Sequence, residues 1–174
     1  MSFKVYQPGK RKYGDMNNSL REQWENIPRS RCGDVEYSPC SVILKDGKQI
    51  DNVYILPAQD YIKAWGVWPE DDSNKSHIDI NQVIKIKESP NRLPVSIANK
   101  IYQVGESGMG YHIYTLIFRD GLKQTYLTGN AADFVILPEG KTMHDIVDVL
   151  PHEGRKEENK KTCPKYYWCL LGEF

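Results

Sequence analysis

The sequence predicts a mainly β protein of the α+β type, in which two related small β units are bridged by one helix. Residues 41–47 read SVILKDG and residues 115–121 read TLIFRDG. Each segment is a short apolar run followed by a basic residue and Asp-Gly, which is a strong signal for a β-hairpin turn. Between them, the apolar residues of segment 94–104 recur at helical spacing. An internal duplication of one β unit, with a helix between the copies, explains these observations.

The similarity between the two units continues beyond the turn, in the same order along the chain. The matched tripeptides are Tyr54-Ile55-Leu56 with Tyr126-Leu127-Thr128, Asp60-Tyr61-Ile62 with Asp133-Phe134-Val135, Trp68-Pro69-Glu70 with Leu137-Pro138-Glu139, and Ile84-Lys85-Ile86 with Val147-Asp148-Val149. The pattern predicts about four short strands in each unit. Small, strongly bent sheets with such turns resemble the SH3-like or Sm-like barrel class.

Helix signals flank the first unit on both sides. Ser19 and Glu22 form the pattern of a capping box, and Pro28 ends the helix that they begin. Pro94 suits the first position of the bridging helix, and Gly105 suits the position after its end. The predicted segments are an N-terminal arm with a short helix (1–39, loose over about the first 18 residues), the first β unit (40–90), the bridging helix and glycine-rich loop (91–112), the second β unit (113–152), and a charged linker with a docked aromatic tail (153–174).

The C-terminal residues 153–174 combine a polar stretch with an apolar patch. The stretch EGRKEENKKT is predicted to be flexible, because it has few residues that a core would bury. The patch YYWCLL would be an aggregation hazard if it stayed exposed. We therefore expect it to dock, either in cis across the N-terminal segment or in trans in a homodimer.

Composition excludes several classes of protein. The 174 residues are 40% hydrophobic and 26% charged, as in ordinary globular proteins. Lys and Arg together number 23, as do Asp and Glu, so strong nonspecific attraction to nucleic acid is not expected. No apolar run is long enough to span a membrane, and the N-terminal residues show no apolar core of a secretory signal. These features predict a cytoplasmic protein without a membrane partner.

The four cysteines and the acidic and histidine-containing segments do not predict a metal site or a cofactor. Cys32 and Cys40, and then Cys163 and Cys169, are too widely spaced for a zinc knuckle, so reduced thiols are expected. A pairing between the two sets is the alternative. His144 with Asp148 could contribute to a metal site, but the segment reads more simply as polar positions beside buried ones. The acidic set Asp60 and Glu70-Asp71-Asp72 lacks the spacing of a calcium loop and reads as a solvated turn.

The segment Gly105–His112, GESGMGYH, admits three interpretations. A phosphate-binding loop needs G-x-G-x-x-G between a strand and a helix, whereas here the glycines follow a helix. A hydrolase elbow needs glycine at the position of Met109. The segment resembles the G-D-S-G-G of chymotrypsin-like proteases, which would imply that Ser107 is a nucleophile, but His77 is the only histidine that precedes it. A helix C-cap followed by a turn is the simplest interpretation, and it leaves the loop open to a partner.

Aromatic residues direct the functional prediction, since tyrosine and tryptophan supply much of the binding energy at protein interfaces. Tyr61, Trp65 and Trp68 cannot all lie in the core of so small a sheet, although filling the interface between sheets and helix is the alternative for most of the aromatic residues. The sequence thus predicts a non-enzymatic module that binds a protein partner, and an immunity or inhibitor protein is one concrete form of it. The predicted binding residues are Tyr61, Trp65, Trp68, Glu106, Ser107, Met109, Tyr111 and His112.

Two other functions stay open. The first is binding of RNA or single-stranded DNA by an Sm-like surface, with tyrosines that stack on bases. The basic residues for such a groove are Lys45, Lys48, Lys63, Lys85, Lys87, Arg92 and Arg119. The second is a hydrolase that uses Ser107, for which no positioned base is evident from the sequence.

Overall fold

The structure, a computed structural model, describes residues 11–174, which form a mainly β protein with two sheets. The strands of this region are β1 Lys12–Gly14, β2 Ser30–Cys32, β3 Val35–Leu44, β4 Gln49–Pro57, β5 His77–Ile78, β6 Val83–Lys87, β7 His112–Phe118, β8 Lys123–Thr128, β9 Ile146–Pro151, β10 Lys161–Thr162 and β11 Tyr167–Glu173. The helices are α1 Asn18–Glu25, α2 Ala58–Trp65 and α3 Val95–Gln103. The first sheet curls into a half-barrel in the order β1-β11-β4-β3-β2, with β5 beside β11 and β6 beside β3. The second sheet has the order β10-β8-β7-β9.

Both Asp-Gly pairs form the turns of hairpins, β3–β4 and β7–β8. Gly47 and Gly121 have φ values of +85° and +88°, which glycine adopts without steric strain. In each turn the aspartate accepts a hydrogen bond from the amide two residues later, at 2.8 Å for Asp46 and 3.0 Å for Asp120. These local interactions fix the register of the two hairpins.

A third antiparallel strand completes each hairpin in the same way. β6 pairs with β3, and β9 pairs with β7. The register shifts between Ile43 and Leu44 in β3, and between Ile117 and Phe118 in β7. A parallel strand then lies on the far side of each hairpin, β11 on β4 and β10 on β8.

The two units differ in the segment that follows the hairpin. Residues 60–62 lie in helix α2, whereas residues 133–135 are not helical and Phe134 forms an isolated β-bridge with Arg92. Helix α2 was not predicted from the sequence, although it has an apolar stripe at helical spacing, made of Ala58, Tyr61, Ile62 and Trp65.

The other two helices lie where the sequence predicted them, but both begin differently, since Pro94 is the N-cap of α3 and not its first residue. Helix α1 is capped by Asn17, whose side chain accepts a hydrogen bond from the amide of Leu20 at 2.8 Å. Ser19, the predicted cap, lies inside the first turn and its hydroxyl accepts a bond from Gln23. Asn17 has an extended backbone and directly precedes the helix, so its side chain can accept a hydrogen bond from a free amide of the first turn.

The aromatic tail forms strand β11 inside the first sheet. β11 is parallel to β4 on one side and contacts β1 and β5 on the other. Both of its edges are therefore paired within the same chain. The predicted N-terminal arm contributes β1 to this arrangement, while its residues 1–10 lie outside the described residues.

The charged segment that was predicted to be flexible lies against the second sheet. The hydroxyl of Thr115 donates to the carbonyl of Glu153 at 3.1 Å, and the amide of Gln124 donates to the carbonyl of Asn159 at 2.8 Å. Polar side chains on the strands thus satisfy the backbone of a segment that has little apolar surface of its own. We call residues 152–160 the strap.

One large hydrophobic cluster joins the two units. It contains Tyr37 and Tyr54 from the first sheet, Ala98 from α3, Tyr114 from the second sheet and Trp168 from the tail. A second, smaller cluster lies on the opposite side of the first sheet and includes Cys40, Val42 and Cys169 among its members. Among residues 11–174, no helix is both long enough and apolar enough to cross a membrane.

Candidate functional site

A groove of about 580 Å³ lies where the first sheet, helix α2 and the glycine-rich loop meet. Its lining is rich in carboxylates and contains two aromatic rings. The lining residues are Cys32, Asp34, Val35, Tyr37, Asp60, Lys63, Ala64, Trp65, Glu106 and Asn130. We call this cavity the acidic groove.

Local sequence explains how each carboxylate is placed. Asp34 follows Gly33 in the two-residue turn between β2 and β3, and Gly33 has a φ of +60°. Asp60 lies in the first turn of α2, where the helix dipole favours negative charge. Glu106 is fixed by the glycine-rich loop, because its carboxylate accepts a hydrogen bond from the amide of Gly110 at 3.0 Å.

Trp65 and Tyr37 form the aromatic wall of the groove. Their rings stack with centroids 5.6 Å apart and an interplanar angle of 26°. Trp65 is half-buried and also contacts Tyr61 and Trp168, each with a centroid distance of 4.6 Å. Packing on several sides holds the Trp65 ring in place, so a ligand would meet a wall that is already ordered.

The charge of the lining is negative although the whole chain is neutral. Asp34, Asp60 and Glu106 contribute three carboxylates against the single ammonium of Lys63. Glu106 also raises the pKa of the Cys32 thiol, after the larger effect of burial. The groove therefore favours cations and disfavours anions.

A buried polar network lies behind the groove and links both sheets to α3. Asp133 is fully buried and accepts hydrogen bonds from the hydroxyls of Ser30 and Tyr102. Its backbone amide donates to the hydroxyl of Tyr54 at 3.1 Å. Burial raises the pKa of Asp133, and the hydrogen bonds from Ser30 and Tyr102 and the charge of Arg92 oppose that effect.

Of the eight predicted binding residues, the structure places Trp65 and Glu106 in the lining of the acidic groove. Tyr61, Trp68 and His112 are buried, with exposed fractions of 0%, 1% and 1%, while Trp65 is half-buried. Two of the three aromatic residues that were not expected to share the core, Tyr61 and Trp68, therefore lie in it, because the first unit is not an isolated small sheet. The core is shared by both units and the tail, and it has room for more aromatic rings.

The remaining predicted residues lie in the glycine-rich loop beside the groove. Met109 projects into solvent with an exposed fraction of 99%. The hydroxyl of Tyr111 accepts a hydrogen bond from Arg155 of the strap at 3.0 Å, and Arg155 also donates to the carbonyl of Ser107. The strap therefore holds the base of the loop while the tip that carries Met109 stays exposed.

Ser107 contacts His152, a histidine that sequence analysis did not connect with it. The hydroxyl oxygen lies 2.7 Å from Nδ1 of His152, and Nε2 of the same ring lies 3.3 Å from the carbonyl of Val104. The hydroxyl oxygen also accepts a bond from the amide of Ile113 at 2.8 Å. His152 has a φ of +66° and is the one non-glycine residue with a positive φ among the described residues. No sequence pattern signals this contact between residues 45 positions apart.

The basic residues of the nucleic-acid hypothesis are divided among several places. Lys45, Lys48, Lys85 and Lys87 lie near one another, around the β3–β4 turn and on β6. Lys63 lines the acidic groove, and Arg92 donates to the hydroxyl of Ser30 at 3.1 Å in the buried network. Arg119 lies at the turn of the second hairpin and donates to the carbonyl of His144.

The polar groups of two other predicted segments have protein partners. Asp148 forms an ion pair with Lys100 of α3 at 2.6 Å. Glu70 and Asp71 form ion pairs with Arg11 at 3.5 and 3.4 Å, away from Asp60. The acidic set is thus divided between two surfaces.

Most of the groove lining was not predicted from the sequence. Asp34 and Tyr37 were not singled out, and Asp60 was assigned to a solvated turn. A signal existed for Asp34, because Gly33-Asp34 between β-favouring residues is a typical two-residue hairpin turn. The meeting of residues 34, 60 and 106 depends on tertiary packing and has no signal in the sequence.

No protein-family model matches the chain, and it has no significant similarity to a curated protein or to a solved structure.

Proposed function

We propose that this protein is a non-enzymatic binding module that engages a protein partner through the acidic groove and the neighbouring tip of the glycine-rich loop. The observation that carries the proposal is the half-buried ring of Trp65 in the wall of a cavity. Tryptophan is among the residue types most enriched at binding hot spots. Here its ring is held in place beside an open cavity. An inhibitor or immunity role, as the sequence suggested, is one form of this function.

The shape and composition of the surface support a protein as the ligand. Met109 adds an exposed apolar side chain in the same loop as Glu106, three residues further along the chain, so this surface offers both apolar and charged groups. Apolar anchors surrounded by polar groups are the arrangement that protein interfaces use. The negative lining disfavours nucleic acid at this site, because the phosphate backbone would be repelled.

Affinity capture from native lysate tests the proposal. The wild type is compared with Trp65→Ala and with Trp24→Ala, which also removes a half-buried tryptophan but lies outside the groove lining. We expect a protein that survives nuclease treatment, is retained by Trp24→Ala and is lost with Trp65→Ala. Equal recovery by both folded variants, or recovery of nuclease-sensitive material alone, would contradict the proposal.

We also propose that the two β units descend from an internal duplication of a small SH3-like or Sm-like sheet. The support is local: the same turn, the same strand pairing and the same position of the bulge occur in both units. In addition, the amide of Lys45 bonds to Gln82 at 2.8 Å, and that of Arg119 bonds to Asp145 at 2.7 Å, which are corresponding positions. The helix α2, which occurs only in the first unit, would then be a later difference, and it provides Asp60 and Trp65 to the groove.

The contact between Ser107 and His152 supports a second candidate function, a serine hydrolase. With a proton on Nε2 donated to Val104, Nδ1 is free to accept the proton of the Ser107 hydroxyl, as a general base does. A fluorophosphonate probe tests this directly, with Ser107→Ala and His152→Gln as variants. Labelling of the wild type that is lost in both variants would favour the hydrolase. If the folded wild type is not labelled, the hydrolase function is excluded.

A further inference from the structure

We infer that the acidic groove takes the guanidinium group of an arginine side chain on the partner. This inference rests on the proposed function, because it names the chemistry that the partner presents to the same site. It combines two independent properties of the groove, which are its aromatic wall and its charge.

The aromatic wall suits a flat cation. Trp65 is half-buried in the lining, and Tyr37, which is 2% exposed, stacks on it with an interplanar angle of 26°, so the Trp65 ring is the aromatic surface that a ligand can contact. Guanidinium groups stack on aromatic faces, where the attraction to the ring quadrupole adds to apolar contact. Tryptophan is the strongest of the aromatic side chains in such contacts.

The carboxylates provide the acceptors that such a cation requires. Asp34, Asp60 and Glu106 come from three separate parts of the chain and face one cavity. A guanidinium has five N–H donors in a fixed plane and can bond to carboxylates in more than one direction, whereas an ammonium is a point charge. Within the lining, Lys63 is the only cation, so the carboxylates of the lining outnumber its cations by two. Lys75 lies outside the lining, and its charge interacts with Glu106 and with Asp72.

The groups near the groove make other ligands less suitable. Burial raises the pKa of the Cys32 thiol, the hydrogen bond with Tyr37 lowers it, and the charges of Glu106 and Asp133 raise it, so the net shift disfavours the reactive thiolate. An anion would meet three carboxylates and would lose hydration without gaining a matching set of donors. A neutral side chain would leave the carboxylates partly desolvated and unpaired.

A pair of isosteric peptides tests the charge requirement. Acetyl-Gly-Arg-Gly-amide and its citrulline counterpart have nearly the same shape, but only the first is cationic. The readout is the NMR signal of the Trp65 indole N–H, which the Trp65→Phe variant assigns. We expect a saturable shift with the arginine peptide and binding at least about tenfold weaker with citrulline, and the shift should weaken with added salt. Equal responses to both peptides, or no response to either, would overturn the inference.

Charge-removing variants test the location. Asp34→Asn, Asp60→Asn and Glu106→Gln should each weaken binding of the arginine peptide by about two- to fivefold, as expected for partly exposed ion pairs. Glu139→Gln removes an exposed carboxylate outside the lining and should have no effect. The bound arginine peptide should also slow alkylation of Cys32, which lines the groove, and leave Cys163 unaffected. Full binding by the triple variant would place the peptide elsewhere and overturn the assignment.

These measurements separate the inference from the proposed function. If the captured partner is lost with Trp65→Ala but the arginine peptide neither binds nor competes, the groove binds a partner through other chemistry and the inference alone fails. If the arginine peptide binds at the groove but no protein is captured, the cation site stands and the proposed function fails.

Discussion

Ser30 of the first sheet donates a hydrogen bond to the buried carboxylate of Asp133, which lies 103 residues later, between strands β8 and β9 of the second sheet. The same carboxylate accepts a bond from Tyr102 of helix α3. One side chain therefore joins three parts of the fold that the sequence presents as separate segments. The network lies beside the groove, because Ser30 of the network and Cys32 of the groove lining belong to the same strand, β2.

Replacement of Asp133 by alanine should strongly destabilise the protein. The change leaves the buried hydroxyls of Ser30 and Tyr102 without their acceptor and Arg92 without the negative charge near it, and we expect a loss of about 3 kcal/mol in the free energy of unfolding. Urea unfolding followed by fluorescence measures this loss. Glu139→Ala, at an exposed position, is the control and should change stability by less than about 0.5 kcal/mol. A similar, small effect of both changes would show that the network contributes little.

Asp133 should also make the free energy of unfolding depend on pH. Because burial raises the pKa of Asp133 in the folded state, the folded protein binds its proton more tightly than the unfolded chain does. The protonated Asp133 carboxyl stabilises the folded protein. This contribution to the free energy of unfolding is complete below the ordinary pKa of 3.8 and is lost as the pH rises through the pKa of Asp133 in the folded state. The stability of wild type relative to Asp133→Asn should therefore fall from pH 4 towards neutrality. A constant difference over this range would mean that the pKa is not raised.

Much of the architecture was predictable because its causes are local. The Asp-Gly turns, the bridging helix and the helix after Asn17 depend on residues within a few positions of each other. Helix α2 was missed because its apolar stripe is short and follows the apolar strand β4 without a clear break. The insertion of β11 beside β4 depends on a contact between distant segments, for which the apolar tail gave only the expectation of docking.

The candidate site was predictable only in part. Trp65 and Glu106 were identified by residue type, since tryptophan and a glycine-rich loop are typical of binding surfaces. Asp34 and Asp60 were not identified, because their proximity in the groove lining results from tertiary packing. Likewise, the contact between Ser107 and His152 depends on the path of the strap across the second sheet.

The two hairpin turns should respond equally to the same substitution. Gly47 and Gly121 have nearly the same positive φ, and a Cβ atom at either position would meet no other atom within 4 Å. Only backbone strain then opposes alanine, so Gly47→Ala and Gly121→Ala should each cost about 1 kcal/mol. Thermal unfolding of the two variants checks this expectation. A difference of more than about 1 kcal/mol would show that the turns are not equivalent in energy.

Gly154 of the strap should tolerate a side chain much less well than a glycine of similar conformation. A Cβ atom at Gly154 would lie 2.4 Å from Thr125 and 2.8 Å from Thr115, so the strap would have to move away from the sheet. Gly140 also has a positive φ, but it has open space around it and is the matched control. Gly154→Ala should cost about 1–3 kcal/mol more than Gly140→Ala, by the usual cost of overpacking. Equal effects in urea unfolding would indicate that the strap is not held against the sheet.

The four free thiols should differ in reactivity in a way that reports on the fold. Cys40 and Cys169 are fully buried, and burial raises the pKa of Cys40 to about 12 and that of Cys169 well above its ordinary value. Cys32 and Cys163 are half-buried, and burial raises the pKa of each to a smaller extent. Since the thiolate is the reactive form, alkylation at pH 8 should modify Cys32 and Cys163 slowly and should leave the other two intact until the protein unfolds. Mass spectrometry of digested samples, with a urea-unfolded sample as the control, measures the order. Early modification of Cys169 in the folded protein would mean that β11 leaves the sheet, because its partners on both edges otherwise protect that thiol.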